Sequence, residues 1–230
     1  LASRFFGGQE ALLDVYFAAF VVPDTVFQLF IVGALSASFI PFFQESLQKS
    51  KEDANKLTQS VLSLIFFVLA VFSLIVFVFA YPISNMITHF PHDQLMIMAN
   101  LVRIMSLAQI IFAASSVFTG VLQAEQQFLI PSLAPILYNL GTIIGVYFFS
   151  SSYGIYSAAI GVVFGALMHS LVQVPSVLKS GIKPRIIFRN FHPNLPQMLR
   201  LMPGRTLSLS LDQIQRWVSV NLSSLLLPGS

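Results

Sequence analysis

Fifty-three consecutive residues, from Gln126 to Leu178, contain no Asp, Glu, Lys or Arg. A transmembrane helix needs about 20 mostly apolar residues, so this stretch is long enough for two membrane spans, and residues 150–154 (SSSYG) supply the turn between them. Charged residues make up 9% of the whole sequence, compared with about 25% in an ordinary soluble domain. The chain is therefore predicted to be an all-α, polytopic transmembrane helix bundle.

Further charge-free stretches bring the predicted number of spans to about six. The first is too long for one straight helix, and Pro23 and Pro41 are expected to kink it or to mark its ends. Glycines four residues apart, as in residues 141–145 and 161–165, suit the close approach of two helices. The predicted spans are about 11–46, 56–86, 94–124, 128–149, 153–178 and 196–226.

The distribution of basic residues predicts the orientation of the chain. Lys and Arg collect in the connections at 47–56 and 179–200 and are absent from 87–93 and 150–154. Because positive residues favour the cytoplasmic side, residues 47–56, 125–127 and 179–200 are predicted to lie inside. The mixed basic and apolar segment 183–200 is expected to lie along the inner membrane surface and touch anionic lipid. Alternatively, it is an ordinary basic loop that sets the topology.

The last predicted span contains three ionisable residues, Arg205, Asp212 and Arg216. At about 100° per residue they share one face of a helix, and Asp212 and Arg216 have the i, i+4 spacing of an ion pair. Charges at membrane depth usually face a cavity or a partner. Two arginines on a water-filled wall would suit phosphate recognition. Alternatively, the three residues form a structural salt bridge, or Arg205 reaches to the interface.

Two other ionisable residues lie in predicted spans. Asp14, near the start of the first span, is expected either to partner an arginine of another helix or to complement the helix dipole. His169 and Gln173 are four residues apart near the inner end of a span. His169 is expected to be a hydrogen-bonded packing residue, and a proton relay is the alternative.

The sequence contains none of the motifs that would indicate an enzyme. A Gly-rich phosphate loop, HExxH and G-x-S-x-G are all absent from it, and lone serines and histidines do not make a nucleophile. With no cysteine, zinc and thiol chemistry cannot be proposed. We therefore predict no enzymatic activity, no cofactor or metal and no nucleic-acid partner.

Short motifs follow one another in order along nearly the whole chain. Residues 14–23 (DVYFAAFVVP) are similar to D-A-[FY]-x-x-A-F-x-x-P, and residues 33–41 (GALSASFIP) fit G-A-[FL]-S-x-x-[FL]-[IV]-P. Residues 120–139 carry G-x-L-x5-F-x2-P-x2-A-P-x-L-x-N, and residues 173–181 carry Q-x-P followed by Gly. Residues 203–214 follow P-R-T-L…Q-I with Gly204 inserted. Together these motifs resemble those of the MurJ (MviN) family of lipid II flippases, in the multidrug/oligosaccharidyl-lipid/polysaccharide exporter superfamily.

The resemblance implies a fold of fourteen helices in two related lobes around a cationic cavity. Residues 1–230 would form the N-terminal lobe, with the end of helix 1 and helices 2 to 7. It also implies transport of lipid II, an undecaprenyl-pyrophosphate-linked peptidoglycan precursor, across the bacterial inner membrane by alternating access. The implied partners are the lipid-linked pyrophosphate substrate, membrane lipids and the C-terminal lobe of the same protein.

The resemblance also suggests which residues contact the substrate. Asp14 matches a functional aspartate of helix 2, and Arg4 matches the last basic position of helix 1. The family has basic residues where this chain has Phe27-Gln28, and Glu-Gly where it has Val32-Gly33. We therefore hypothesise that arginines of the last span supply part of the missing positive charge. The predicted substrate-binding residues are Arg4, Asp14, Gln28, Arg205, Asp212 and Arg216.

Two other functions fit the sequence. One is an exporter of another lipid-linked glycan or of a small amphiphile, and a cavity richer in carboxylates than in arginines would favour a small cationic substrate. The other is a membrane scaffold that transports nothing and binds partners. Absence of a second lobe from the intact gene would favour the scaffold.

Overall fold

The computed structural model describes residues 7–8, 10–28, 35–201 and 203–225. It describes the side chains of these residues except at 35–37 and 203–212. The regular structure in these ranges is helical. The helices in chain order are α1 Glu10–Phe27, α2 Leu35–Lys49, α3 Lys51–Val78, α4 Ala80–Ile87, α5 His92–Ala124, α6 Leu129–Tyr153, α7 Tyr156–Leu171, α8 Val174–Lys179, α9 Leu195–Arg200 and α10 Pro203–Ser223.

Four stretches in the described part of the chain are long and apolar enough to cross a membrane: α3, α5, α6 and Tyr156–Lys179. They correspond to the predicted spans 56–86, 94–124, 128–149 and 153–178. Their outward surfaces are apolar, with Leu74 64%, Tyr147 58% and Phe148 66% exposed. A soluble protein rarely exposes so large an apolar surface, so these side chains suit contact with lipid. The helical membrane bundle predicted from the sequence is confirmed.

The predicted span 11–46 contains two helices, α1 and α2. Pro23 and Pro41 both lie inside these helices, so neither proline marks a helix end. The boundary falls between the end of α1 at Phe27 and the start of α2 at Leu35. Proline is compatible with the interior of a membrane helix when neighbouring groups satisfy the carbonyl that it leaves free.

The turn between α6 and α7 is shorter than the sequence indicated. Residues 150–152, three serines, are still helical, and α6 continues to Tyr153. The chain reverses at Gly154, whose φ of 52° and ψ of −132° are readily adopted only by glycine. The Ser157 hydroxyl donates to the Gly154 carbonyl oxygen at 2.6 Å. Two residues, Gly154 and Ile155, therefore form the turn that was assigned to five residues.

Helices α6 and α7 form a close pair through their glycines. A Cβ atom on Gly141 would lie 2.5 Å from the Gly165 Cα atom. Gly145 and Gly161 approach each other in the same way one turn along. Distances this short are possible only where no side chain intervenes. The packing role predicted for these glycines is confirmed.

Helix α5 runs through the middle of the bundle and contributes to both hydrophobic clusters of the core. Near its carboxyl end, Leu122 packs in a cluster with Phe43 of α2 and Leu57 of α3. Near its amino end, Met98 belongs to a second cluster with Val15 of α1. These side chains are fully buried, so α5 is the element on which the other helices assemble.

The three connections that were predicted to lie inside meet at one end of the bundle. Lys51 Nζ donates to the Ser180 carbonyl oxygen at 3.3 Å, and Gln44 Nε2 donates to that of Ala124 at 3.2 Å. Burial raises the pKa of Glu125 at this end, while hydrogen bonding to Ser180 and the charge of Lys51 oppose the rise. The connections 47–56, 125–127 and 179–200 thus share one side, as the orientation requires.

Residues 182–192, here called the strap, lie against α3 in an ordered arrangement. The backbone N–H groups of Lys183 and Ile187 donate to Asn55 Oδ1 at 2.6 Å and Ser63 Oγ at 2.7 Å. The N–H of His192 donates to Ser60 Oγ at 2.8 Å. Side chains of α3 therefore replace the hydrogen bonds that a strand or helix would supply. The orientation of the strap against lipid stays a prediction.

Candidate functional site

An ion pair joins α10 to α1. Arg216 Nη1 donates to Asp24 Oδ2 at 2.5 Å, and the two side chains are 50% and 25% exposed. The sequence interpretation also gave Arg216 and Asp212 the spacing of an ion pair within α10. The side chain of Asp212 lies outside the described residues, so that pair stays a prediction. The long side chain of Arg216 lets its guanidinium reach α1.

Beside this ion pair, Thr25 is the centre of a small hydrogen-bond network. Trp217 Nε1 donates to Thr25 Oγ1 at 2.7 Å, and Gln213 Oε1 lies 3.2 Å from the same hydroxyl. The hydroxyl also lies 2.7 Å from the Val21 carbonyl oxygen, which can accept its single proton. Thr25 and Gln213 are 9% and 4% exposed. Together with the ion pair, this network fixes the orientation of α10 against α1.

The sequence interpretation missed Asp24, Thr25 and Trp217 as members of a site. Two signals could have found them. Asp24 follows Pro23 at the edge of a charge-free stretch, and Trp217 is the only tryptophan of the sequence. Asp24 meets Arg216 and Thr25 meets Trp217 only through the tertiary fold, because the members of each pair lie 192 residues apart along the chain.

The other predicted substrate-binding residues are not brought together by the described structure. Asp14 is half-buried on α1, ten residues before Asp24, which is about 15 Å along a helix axis. Gln28 directly follows α1 and is half-buried. Arg4 lies outside the described residues, as does the side chain of Arg205. Of the six, Arg216 is the one whose described contacts join two helices through an ion pair.

A cavity of about 230 Å³ lies among α1, α5, α6 and α7. Its wall is mainly aromatic and aliphatic. The Phe112 ring of α5 is in edge contact with Phe27 at 5.4 Å and with Tyr138 at 5.3 Å between ring centres. Phe27, which occupies a position where basic residues were expected, therefore makes an apolar contact inside the lobe. The lining residues are Phe20, Pro23, Asp24, Phe27, Met105, Gln109, Phe112, Pro135, Tyr138, Val162 and His169.

A polar network next to this cavity joins α5 to the chain around α7. Ser115 Oγ lies 2.5 Å from His169 Nδ1 and accepts from Gln173 Nε2 at 2.7 Å. The Thr119 hydroxyl donates to Gln173 Oε1 at 2.9 Å. Gln173 is fully buried, so its amide needs these partners. His169 thus has the hydrogen-bonded packing environment that the sequence predicted.

A cationic groove of about 510 Å³ lies at the loop end, between α3 and the strap. Lys56, Lys183 and Arg185 line it, together with Glu52. Lys183, Arg185 and the adjacent Phe188 are exposed, with Phe188 at 74%. Basic residues beside an exposed aromatic ring suit the boundary between lipid headgroups and acyl chains.

The family model described as lipid II flippase MurJ matches residues 2–230. Among curated proteins, the chain is 29% identical over 214 residues to a probable lipid II flippase MurJ of Borreliella burgdorferi, covering 91% of this chain and 42% of that protein. It is 26% identical over 245 residues to the lipid II flippase MurJ of Burkholderia cenocepacia, covering 100% of this chain and 46% of the relative.

A solved structure described as lipid II flippase MurJ in an inward closed conformation has the same fold. The TM-score is 0.79 at 26% sequence identity, and the match covers 99% of this chain and 47% of that one. The chain thus spans about half the length of the relatives that it matches. The described helices have the arrangement of one half of that larger protein.

Proposed function

Because the chain belongs to the lipid II flippase MurJ family, we propose that it forms the N-terminal lobe of a transporter in the bacterial inner membrane. The transporter would move lipid-linked peptidoglycan precursor, lipid II, between the two faces of that membrane. The match of the family model to residues 2–230 carries this proposal. The substrate-facing wall would come from α1 and α10, and the second lobe would come from the rest of the intact protein.

In alternating access, α10 would change its position relative to α1. The Asp24–Arg216 ion pair and the Thr25 network join the described parts of these two helices. They would then hold one of the positions of α10.

Arg216 is the described cation best placed to meet a pyrophosphate group. Its guanidinium is 50% exposed and binds Asp24 through Nη1. A guanidinium has five N–H donors in a rigid plane, so four remain for phosphate oxygens. Asp24 would orient the side chain without using all of its donors. Arg4 and Arg205 would add positive charge from the first and last helices, and the polyprenyl tail would stay in lipid.

The experiment is rescue of bacterial cells depleted of their own flippase by the intact gene. We expect the double substitution Arg205→Gln and Arg216→Gln to abolish rescue, because the cavity loses two of its cations. The matched control is Arg189→Gln with Arg200→Gln, which removes two exposed arginines at the loop end. The control variant should rescue growth at an equal protein level in the membrane. Normal rescue by the first variant would rule out the proposed role of these arginines.

A further inference from the structure

The cavity among α1, α5, α6 and α7 has the features of a ligand site that shares Asp24 with the proposed pyrophosphate site but is otherwise lined by different residues. We propose that this cavity, here called the inner cavity, binds a small organic cation that carries an N–H donor and an apolar group. A primary ammonium on an aromatic or short alkyl body is the matching chemical class. The proposal does not depend on the substrate proposed above for the complete transporter.

Gln109 gives the most direct indication of a ligand. Its side chain lines the inner cavity and is 6% exposed, and its Oε1 atom has no hydrogen-bond partner among the described residues. An unpartnered buried acceptor is costly, and native structures usually satisfy such an atom with a protein group, water or ligand. An ammonium N–H in the cavity would supply the missing donor.

The aromatic lining favours a cation over a neutral donor. Phe27, Phe112 and Tyr138 surround the space, and His169 lies 5.3 Å from Phe112 between ring centres. The faces of aromatic rings carry partial negative charge and attract ammonium groups within about 6 Å. The same rings provide apolar contact for the body of the ligand.

The formal charges near the inner cavity also favour a cationic ligand. Asp24 is its one acidic lining residue, and the described residues of its wall include no Lys or Arg. Arg216, which pairs with Asp24, lines a different depression with Val21 and Ser219. An anion in the inner cavity would therefore have a carboxylate and no cation in its described lining. This arrangement favours a positively charged occupant.

The volume admits a ligand with one aromatic ring. The inner cavity has about 230 Å³, compared with about 150 Å³ for an engineered protein cavity that binds benzene. Benzylammonium is of this size class and combines an ammonium group with one aromatic ring. It is a suitable probe, and benzyl alcohol is its neutral counterpart of nearly equal shape.

The test is isothermal titration calorimetry on the intact protein in lipid nanodiscs, with protein-free nanodiscs subtracted. We expect saturable binding of benzylammonium chloride and at least about tenfold weaker binding of benzyl alcohol. Gln109→Leu should weaken benzylammonium binding by about tenfold or more, the loss expected for a hydrogen bond to a charged group. Gln123→Leu is the matched control, because Gln123 is half-buried on the same helix and does not line the inner cavity.

Several results would overturn the inference. Equal affinity for benzylammonium and benzyl alcohol would mean an apolar cavity without cation selectivity. Equal affinity of wild type and Gln109→Leu for benzylammonium, with circular dichroism showing that both are folded, would mean that Gln109 takes no part in binding this ligand. Loss of benzylammonium binding in Gln109→Leu with normal rescue of flippase-depleted cells would support this site and leave the proposed transport function intact. Failed rescue by the Arg205→Gln and Arg216→Gln double variant, with normal benzylammonium binding, would support the role of these arginines in transport. It would also show that the benzylammonium site does not depend on them.

Discussion

At the scale of single residues, Arg216 illustrates how an ion pair depends on the partner that the fold provides. Spacing along α10 offers Asp212, whose side chain lies outside the described residues, and the structure shows a contact with Asp24 of another helix at 2.5 Å. Such a contact between helices restrains their relative position, whereas a pair within one helix stabilises only that helix. The consequence is that Asp24, which spacing rules did not select, becomes a residue of the candidate site.

We expect Asp24→Asn to lower the melting temperature of the intact protein by a few degrees. The side chains are 25% and 50% exposed, so solvent screening limits the ion pair to about 1 kcal/mol. The exchange variant Asp24→Arg with Arg216→Asp keeps the pair and should recover most of this loss. The measurement is thermal unfolding in detergent at low salt. An exchange variant less stable than both single variants would contradict a direct pair.

At the scale of elements, the α6–α7 pair and the strap show two ways of holding a segment in place. The helix pair depends on missing side chains, since the glycine faces meet at backbone distance. The strap depends on side chains of α3 that accept its backbone N–H groups. Each mechanism is local enough to be tested by small substitutions.

Gly145→Ala is expected to destabilise the protein by about 1–3 kcal/mol, the cost of overpacking a close contact. The new Cβ would lie closer to the Gly161 Cα atom than any carbon–carbon contact allows. Ser151→Ala on the same helix is the control, because Ser151 is exposed. Thermal unfolding of the two variants gives the comparison. Equal stability of both would show that α6 and α7 do not approach as closely as described.

Ser60→Ala with Ser63→Ala is expected to release the strap from α3. The amides of Ile187 and His192 would lose their acceptors, and each lost hydrogen bond should speed amide exchange by about tenfold. Hydrogen–deuterium exchange of peptides covering 182–192 measures this. Ser132→Ala, which removes a hydroxyl bonded only to its own helix, should leave the exchange unchanged. Unaltered protection in the double variant would mean that other contacts hold the strap.

At the scale of the whole molecule, the chain has the fold of about half of a larger membrane protein. It covers 47% of the solved MurJ structure at a TM-score of 0.79, and its basic connections meet at one end of the bundle. The opposite end holds the α4–α5 and α6–α7 connections, where Asn221 Nδ2 donates to the Ile87 carbonyl oxygen at 3.0 Å. The two ends should therefore face opposite sides of the membrane.

Cysteine labelling in whole cells tests this orientation, since residues 1–230 contain no cysteine and any cysteine elsewhere in the intact protein can be replaced by serine. We expect Ser152→Cys and His89→Cys to react with a membrane-impermeant maleimide added outside the inner membrane. Gln126→Cys and Lys183→Cys should react only after the membrane is opened, because basic loops stay inside. The four positions are exposed or lie in connections. Labelling of Lys183→Cys in intact cells would reverse the assigned orientation.

Much of the fold was predictable because its causes are local. The stretches that became α6 and α7 are marked by apolar length and the absence of charge, and the stretch that became α5 contains few charges. Each of these helices lies close to its predicted span. The glycine spacing of α6 and α7 likewise indicated their contact. The positions of Pro23 and Pro41 inside helices were not predictable, because a proline in such a stretch could equally have marked a helix end.

The sequence could predict a site with a charged residue in the last span, but it could not predict all of the residues that form the site. Arg216 could be selected because a charge at membrane depth needs a partner. Its actual partner, and the Thr25 network beside it, required the packing of α10 on α1. In the same way, Gln109 looks like one more polar residue in a helix until the fold encloses it beside aromatic rings.

The sequence by itself determined a helical membrane bundle, the sites of its longest spans and the common side of its basic connections. These properties follow from the cost of placing charges and unpaired backbone groups in lipid, which any segment experiences alone. Only the tertiary structure decided that Asp24 meets Arg216, that the strap binds α3 and that Gln109 lines a cavity with aromatic walls. Those contacts join residues far apart in the chain, and their free energy exists only when the helices pack together.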